Sequence, residues 1–265
     1  SGTVSYSNKV ATFTPSSNLS YSTTYTATIS TRVKDLSGNA MSSTYTWSFT
    51  TGSAPDTTAP SGSISINSGA SYTNSTAVTL TLSATDSVGV VGYYLSTSSS
   101  TPVASASGWN SVTSATSYSG SVSYTLASGD EAKTVYVWFK DAAGNVSSTA
   151  SDSITLDTTA PIVTITSPTS SDTYTAASST VNLSGSASDT TSGVSKVTWS
   201  NDKGGSGDAS GTTYWSVSSI SLSSGENKIT VTAKDLGGNT STDTITVTYS
   251  AATKPTVTTG STSNV

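Results

Sequence analysis

Aspartates recur in register along the chain, as Asp56, Asp86 and Asp141 and then as Asp157, Asp189 and Asp235. Each set ends in a turn of the form Asp-x-x-Gly-Asn, which adds Asn145 to the first set and Asn239 to the second. Three carboxylates beside an amide oxygen and turn carbonyls are the hard oxygen donors that Ca²⁺ gathers about six to eight at a time. The same residues have a plainer use. Asp and Asn start turns by bonding their own backbone and Gly supplies positive φ, so Asp-x-x-Gly-Asn is also a good hairpin turn. A Lys precedes each turn Asp, although strand alternation sends Lys140 and Asp141 to opposite faces. Calcium ligation and turn formation both remain open at this point.

Other chemistry is scarce. The sequence has no His and no Cys, which removes Ser-His-Asp and Cys-His nucleophiles, imidazole and thiolate metal sites, and redox dithiols. The adjacent carboxylates Asp130 and Glu131 sit in a Ser-Gly-Asp-Glu turn and point apart, unlike the facing pair of a glycoside hydrolase, so no enzymatic activity is expected. Ten basic residues are scattered singly, Arg32 the one arginine among them, against a net charge of -5. Nucleic acid is therefore not an expected partner, since phosphate neutralisation needs clustered cations. No apolar run reaches the length of a membrane span. Trp47, Trp138 and Trp199 sit in alternating runs and read as core. Trp109 and Trp215 lie nearer loops, with Gly108, Gly211 and Tyr214, and are the candidates for contact with a glycan or a host protein.

The segments that position the aspartates repeat. Lys34-Asp35-Leu36-Ser37-Gly38-Asn39, Lys140-Asp141-Ala142-Ala143-Gly144-Asn145 and Lys234-Asp235-Leu236-Gly237-Gly238-Asn239 are one hairpin read three times. Asp56-Thr57-Thr58-Ala59-Pro60 returns 101 residues later as Asp157-Thr158-Thr159-Ala160-Pro161, and each reads as a short, stiff connector because Pro withholds a strand donor. Apolar residues make up 33% of the chain, with Val, Ile and Tyr prominent amid Ser and Thr, a mixture suited to thin sandwiches with alternate residues in water. Period-two alternation in the last full repeat predicts strands at 162–165, 181–187, 194–200, 216–222, 228–234 and 242–249. Six or seven short strands of this kind predict an Ig-like β-sandwich. In such a sandwich the entering connector, the loop between the second and third strands and the last hairpin turn meet at one pole, which would gather each aspartate set at a junction.

The fold expected is all-β: tandem Ig-like or fibronectin III-like β-sandwiches in an elongated array. The expected divisions are the C-terminal half of an Ig-like domain over 1–52, Ig-like domains over 53–156 and 157–250, and a linker with the first strand of a further module over 251–265. In the first part only strands at 9–14, 25–34 and 44–50 are read, so further strands are expected from upstream sequence or another chain.

Phe13-Thr14-Pro15, Leu19, Tyr25, the Lys34 to Asn39 turn and Tyr45-Thr46-Trp47-Ser48-Phe49-Thr50-Thr51-Gly52 resemble the second half of a bacterial Ig-like domain of the S-layer type. Residues 56–156 and 157–250 are similar to Ig-like modules of large bacterial adhesins and extracellular enzymes, and the segment after Lys254 resembles the start of a fibronectin type III repeat. The resemblance implies an extracellular or bacterial cell-surface location and a stalk or filament segment, stiffened by Ca²⁺ at its junctions as related arrays are. The alternatives are an adhesive module for glycan or protein, and a filament subunit in which residues 254–265 add a strand to the open part of a neighbouring chain.

Overall fold

The computed structural model describes residues 1–251, so the strand expected after Lys254 lies outside the described residues. Among them every regular element is a strand, and no helix is long and apolar enough to cross a membrane. The chain divides into a unit over Ser1–Thr58 and a second beginning at Ala59.

The first unit holds two antiparallel pairs: β1 (Gly2–Ser7) with β2 (Val10–Pro15), and β3 (Thr24–Ile29) with β4 (Tyr45–Thr50). β1 is absent from the sequence reading because Val4 and Tyr6 are its only large apolar residues. β3 ends at Ile29, before the expected limit, because the chain turns at Ser30 to Val33 and rejoins β-pairing only at the Lys34–Ala40 bridge. Val4, Phe13, Leu19, Tyr25, Trp47 and Phe49 line an open apolar groove.

The second unit begins with β5 (Ser61–Ile66), β6 (Tyr72–Thr73), β7 (Ala77–Ser96), β8 (Asn110–Thr125), β9 (Glu131–Asp141) and β10 (Ala150–Leu156). The early part of β7 pairs with β5 and its late part with β9, while β8 pairs with both parts. One strand thus serves both layers, where the sequence reading places a loop around Asp86. The crossing falls at the register shift between Thr85 and Val90, where Gly89 takes φ 136° and turns the chain without ending the strand. Alternation drives the burial: Val78, Leu80, Leu82 and Ala84 point inward with Thr and Ser between them.

The next sandwich sets β11 (Ile162–Ser167), β13 (Thr180–Ser188) and β16 (Tyr214–Ser221) against a five-stranded layer. That layer contains β12 (Thr173–Ala176), β14 (Val194–Asn201), β15 (Ser206–Asp208), β17 (Gly225–Asp235) and β18 (Thr240–Tyr249). Ile229, Val231 and Ala233 of β17 are fully buried against Leu183, Trp215 and Ile220 of the other layer. Here the crossing that β7 makes unbroken is split into β13 and β14 by a loop running from Asp189 to Gly193.

Candidate metal centre

Asp235 closes β17, and the Asp-x-x-Gly-Asn turn folds back on its carboxylate. Asn239 N–H donates to Oδ1 at 2.8 Å and Asn239 Nδ2 to Oδ2 at 2.8 Å. Asn39 does the same to Asp35, and Asn145 to Asp141, at 2.7 to 2.9 Å. Gly38, Gly144 and Gly238 each take positive φ, which only Gly adopts without strain. The turn chemistry therefore operates in all three repeats whatever else the aspartates do.

The other two carboxylates arrive on different elements. Asp189 opens the loop between β13 and β14, and its Oδ1 accepts the N–H groups of Thr191, Ser192 and Gly193 at 3.1, 2.8 and 2.7 Å. Asp157 follows β10; its N–H donates to Thr73 O at 2.9 Å and its Oδ1 accepts Thr159 N–H at 3.1 Å. Asp157 is 0% exposed, and its Oδ2 is buried with no hydrogen-bond partner. Asp157, Asp189 and Asp235 each offer an oxygen within 4.8 Å of the others. Among the described residues none of the three forms an ion pair. An unpartnered buried carboxylate oxygen beside two further carboxylates is costly unless a cation joins them, and this donor set fits a hard divalent ion.

In the preceding sandwich Asp86 and Asp141 meet in the same way, with oxygens within 4.8 Å. Asp86 Oδ1 accepts Gly89 and Val88 N–H at 2.8 and 2.9 Å, which holds this carboxyl below the usual aspartate range, and its Oδ2 is buried without a partner. Asp56 belongs to the Ser1–Thr58 unit, where its Oδ1 accepts Thr58 N–H at 3.0 Å.

The amide nitrogens of the two asparagines expected as ligands act as donors. Asn239 Nδ2 faces three acceptors, Asp157 O at 2.8 Å, Thr159 O at 3.2 Å and Asp235 Oδ2 at 2.8 Å. That ring of oxygens fixes the amide with nitrogen inward, so Asn239 ties the connector to the turn by donating. Asn145 Nδ2 is likewise turned toward Asp141 Oδ2.

The tryptophan expectation divides. Trp215 is 1% exposed, its ring over Gly185 in the sandwich core, and it offers no face to a ligand. Alternation along β16 explains the error, because neighbouring Tyr214 is 83% exposed while Trp215 points inward. Trp109 is half-buried: its Nε1 donates to Val103 O at 3.0 Å, Tyr94 meets its ring edge-on, and the Lys140 ammonium lies 4.8 Å from the ring centroid. These contacts make it a pin for the loop before β8.

In the sequence Asp130 stands out only as half of a turn pair with Glu131. Glu131 is engaged by Lys133 at 2.6 Å, while Asp130 turns to the connector, where the Thr159 and Thr158 hydrogen bonds hold its carboxyl below the usual range. Only the two threonines after Asp157 could have signalled this from sequence.

Residues 1–51 match the family model described as bacterial Ig-like domain, and residues 161–231 the one described as bacterial Ig domain. No curated protein matches the sequence. Fibronectin(III)-like modules of Clostridium thermocellum CbhA align over 71% of this chain and 94% of theirs, at 15% identity and TM-score 0.43. A structure from a 1.5-MDa bacterial ice-binding adhesin aligns over 73% of this chain and 65% of its own, at 21% identity and TM-score 0.43. A tetra-tandem repeat from the extending region of a large adhesion protein aligns over 84% and 55%, at 22% identity and TM-score 0.30. The chain is all-β and carries tandem Ig-like β-sandwich modules, two stretches of which match bacterial Ig-like families.

Proposed function

We propose that this chain is a structural segment of a bacterial surface or extracellular protein, spacing whatever lies beyond it, and that Ca²⁺ binds where the connector enters the last described sandwich. The ligands are Asp157, Asp189 and Asp235. The observation that supports the cation is the fully buried Asp157, whose Oδ2 has no partner and whose carboxylate brings an oxygen within 4.8 Å of an oxygen of each of the other two. Ca²⁺ suits the set better than Mg²⁺, which demands a near-ideal octahedron and keeps much of its water, whereas carboxylates and turn carbonyls on three separate loops make an irregular cage. Asp86 and Asp141 form the repeat equivalent, with Asp56 as the sequence counterpart of Asp157. Calorimetric titration of the 265-residue protein with Ca²⁺ is expected to show saturable binding with dissociation constants of about 10⁻⁴ to 10⁻³ M, the range of extracellular modules, and weaker binding of Mg²⁺. Equal response to both ions, or none, overturns the assignment.

A second reading, assembly by strand addition, is favoured by the groove of the first unit, where Val4 is 73%, Phe13 58% and Trp47 44% exposed. Unpaired strand edges beside an apolar groove accept an extended segment. Deletion of residues 254–265 is expected to lower the sedimentation coefficient if those residues are the donor strand, and an unchanged coefficient rules this out.

A further inference from the structure

The ligands of the cation site come from the connector and the sandwich that follows it, yet the connector is also gripped from the sandwich before. Asp130 lies in the loop between β8 and β9. Its Oδ1 accepts both the N–H and the hydroxyl of Thr158, at 2.9 and 2.8 Å, and its Oδ2 accepts the hydroxyl of Thr159 at 2.6 Å. On the far side Asn239 Nδ2 holds the carbonyls of Asp157 and Thr159. The main chain just ahead is fixed too, by Thr155 N–H on Ser71 O and Asp157 N–H on Thr73 O.

We propose that Asp130 is the positioning residue of this junction: by clamping Thr158 and Thr159 it sets the direction of the Asp157 carboxylate and couples cation binding in one sandwich to a loop of its neighbour. The proposal rests on the cation reading of Asp157, Asp189 and Asp235.

Three hydrogen bonds to one ionised carboxylate are charge-assisted and stronger than neutral ones. They also remove the rotational freedom that a Thr-Thr pair would have in an extended linker. Asp157 is the ligand with the most to gain, because its Oδ1 is already committed to Thr159 N–H and the aim of Oδ2 therefore follows the conformation of Thr158 and Thr159. Asp130 touches no ligand oxygen itself. Its influence passes through two peptide units, as outer partners of metal ligands act elsewhere, where their loss costs about 10–100-fold in affinity.

Two readouts test this in the full chain. In chelator, Asp130→Ala is expected to raise amide hydrogen exchange at Thr158 and Thr159 at least about tenfold while leaving the melting transition of the last sandwich in place. In a Ca²⁺ titration the same variant is expected to lose about 10–100-fold in affinity. Thr158→Val with Thr159→Val, which leaves Asp130 and its loop intact, is expected to weaken Ca²⁺ in the same direction, and Asp130→Glu to restore part of the loss. Affinity within about twofold of wild type in both Asp130→Ala and the double valine variant overturns the coupling. A wild-type protein that takes up no Ca²⁺ overturns the cation reading instead, and the clamp is then decided by the exchange measurement alone.

Discussion

Replacing Trp215 by Ala is expected to unfold the last sandwich at temperatures where the one before it stays folded. The indole is 1% exposed and closes the core between the two layers, beside Leu183, Ile220 and Val231. Truncating a buried Trp costs about 3–5 kcal/mol through lost transfer energy and the cavity left behind. That is a large share of the roughly 5–15 kcal/mol that holds a domain folded, and for a module of about 100 residues it lowers the midpoint by about 12–40 °C. Scanning calorimetry should show one transition shifted and the other in place. Trp215→Phe separates the contributions: the smaller ring gives up contact over Gly185, but it also removes an indole N–H that is buried without a partner. Its cost is expected to be well below that of Ala. Were Trp215 a ligand platform, Trp215→Ala would leave both midpoints unchanged, and that result would return it to the surface.

The same residue shows where sequence reasoning stopped. Tyr214 and Trp215 stand side by side near Gly211, and an aromatic pair at a loop edge reads as a surface feature; only the phase of β16 tells which of the two points inward. That phase is fixed by Val217 and Ile220 across a register shift. Where alternation is long and unbroken, as in β17, the reading needed nothing more, because Ile229, Val231 and Ala233 declare one face and the Asp235 turn ends it. The three Asp-x-x-Gly-Asn turns were legible for a similar reason: their bonds close within five residues. Asp130 was not, since its partners Thr158 and Thr159 lie 28 and 29 residues further on. The sequence offers Asn239 as a ligand through its side-chain oxygen and is silent on where its amide nitrogen donates. Its orientation is set by the carbonyls of Asp157 and Thr159, 82 and 80 positions earlier, and these belong to tertiary structure. Asp86 fell in the expected place on an unexpected element, because one Gly at φ 136° lets β7 run through a crossing that its repeat makes as a loop.

Neutralising Asp157 is expected to act in opposite directions with and without Ca²⁺. Without the ion, three carboxylates hold oxygens within 4.8 Å, and Asp157 Oδ2 is buried without a partner. Like charges at such range in a partly dry site oppose folding. Asp157→Asn keeps an oxygen to accept the Thr159 N–H and removes one negative charge, so in chelator the variant should melt no lower than wild type, and about 1 kcal/mol of added stability is the expected order. With the ion, the ranking reverses. Wild type gains RT ln(1 + [L]/Kd), about 2.7 kcal/mol at a hundredfold excess over Kd, which for a module of about 100 residues raises the midpoint by about 10–20 °C. The variant has lost a charged ligand and gains little. Asp172→Asn, on the exposed surface of the same sandwich, should follow wild type in both buffers. A crossing of the two melting curves between chelator and a hundredfold excess of Ca²⁺ over Kd separates a metal ligand from a turn residue, because loss of a turn residue lowers stability by the same amount in both. Parallel curves would leave the aspartates as turn formers and remove the cation from the junction.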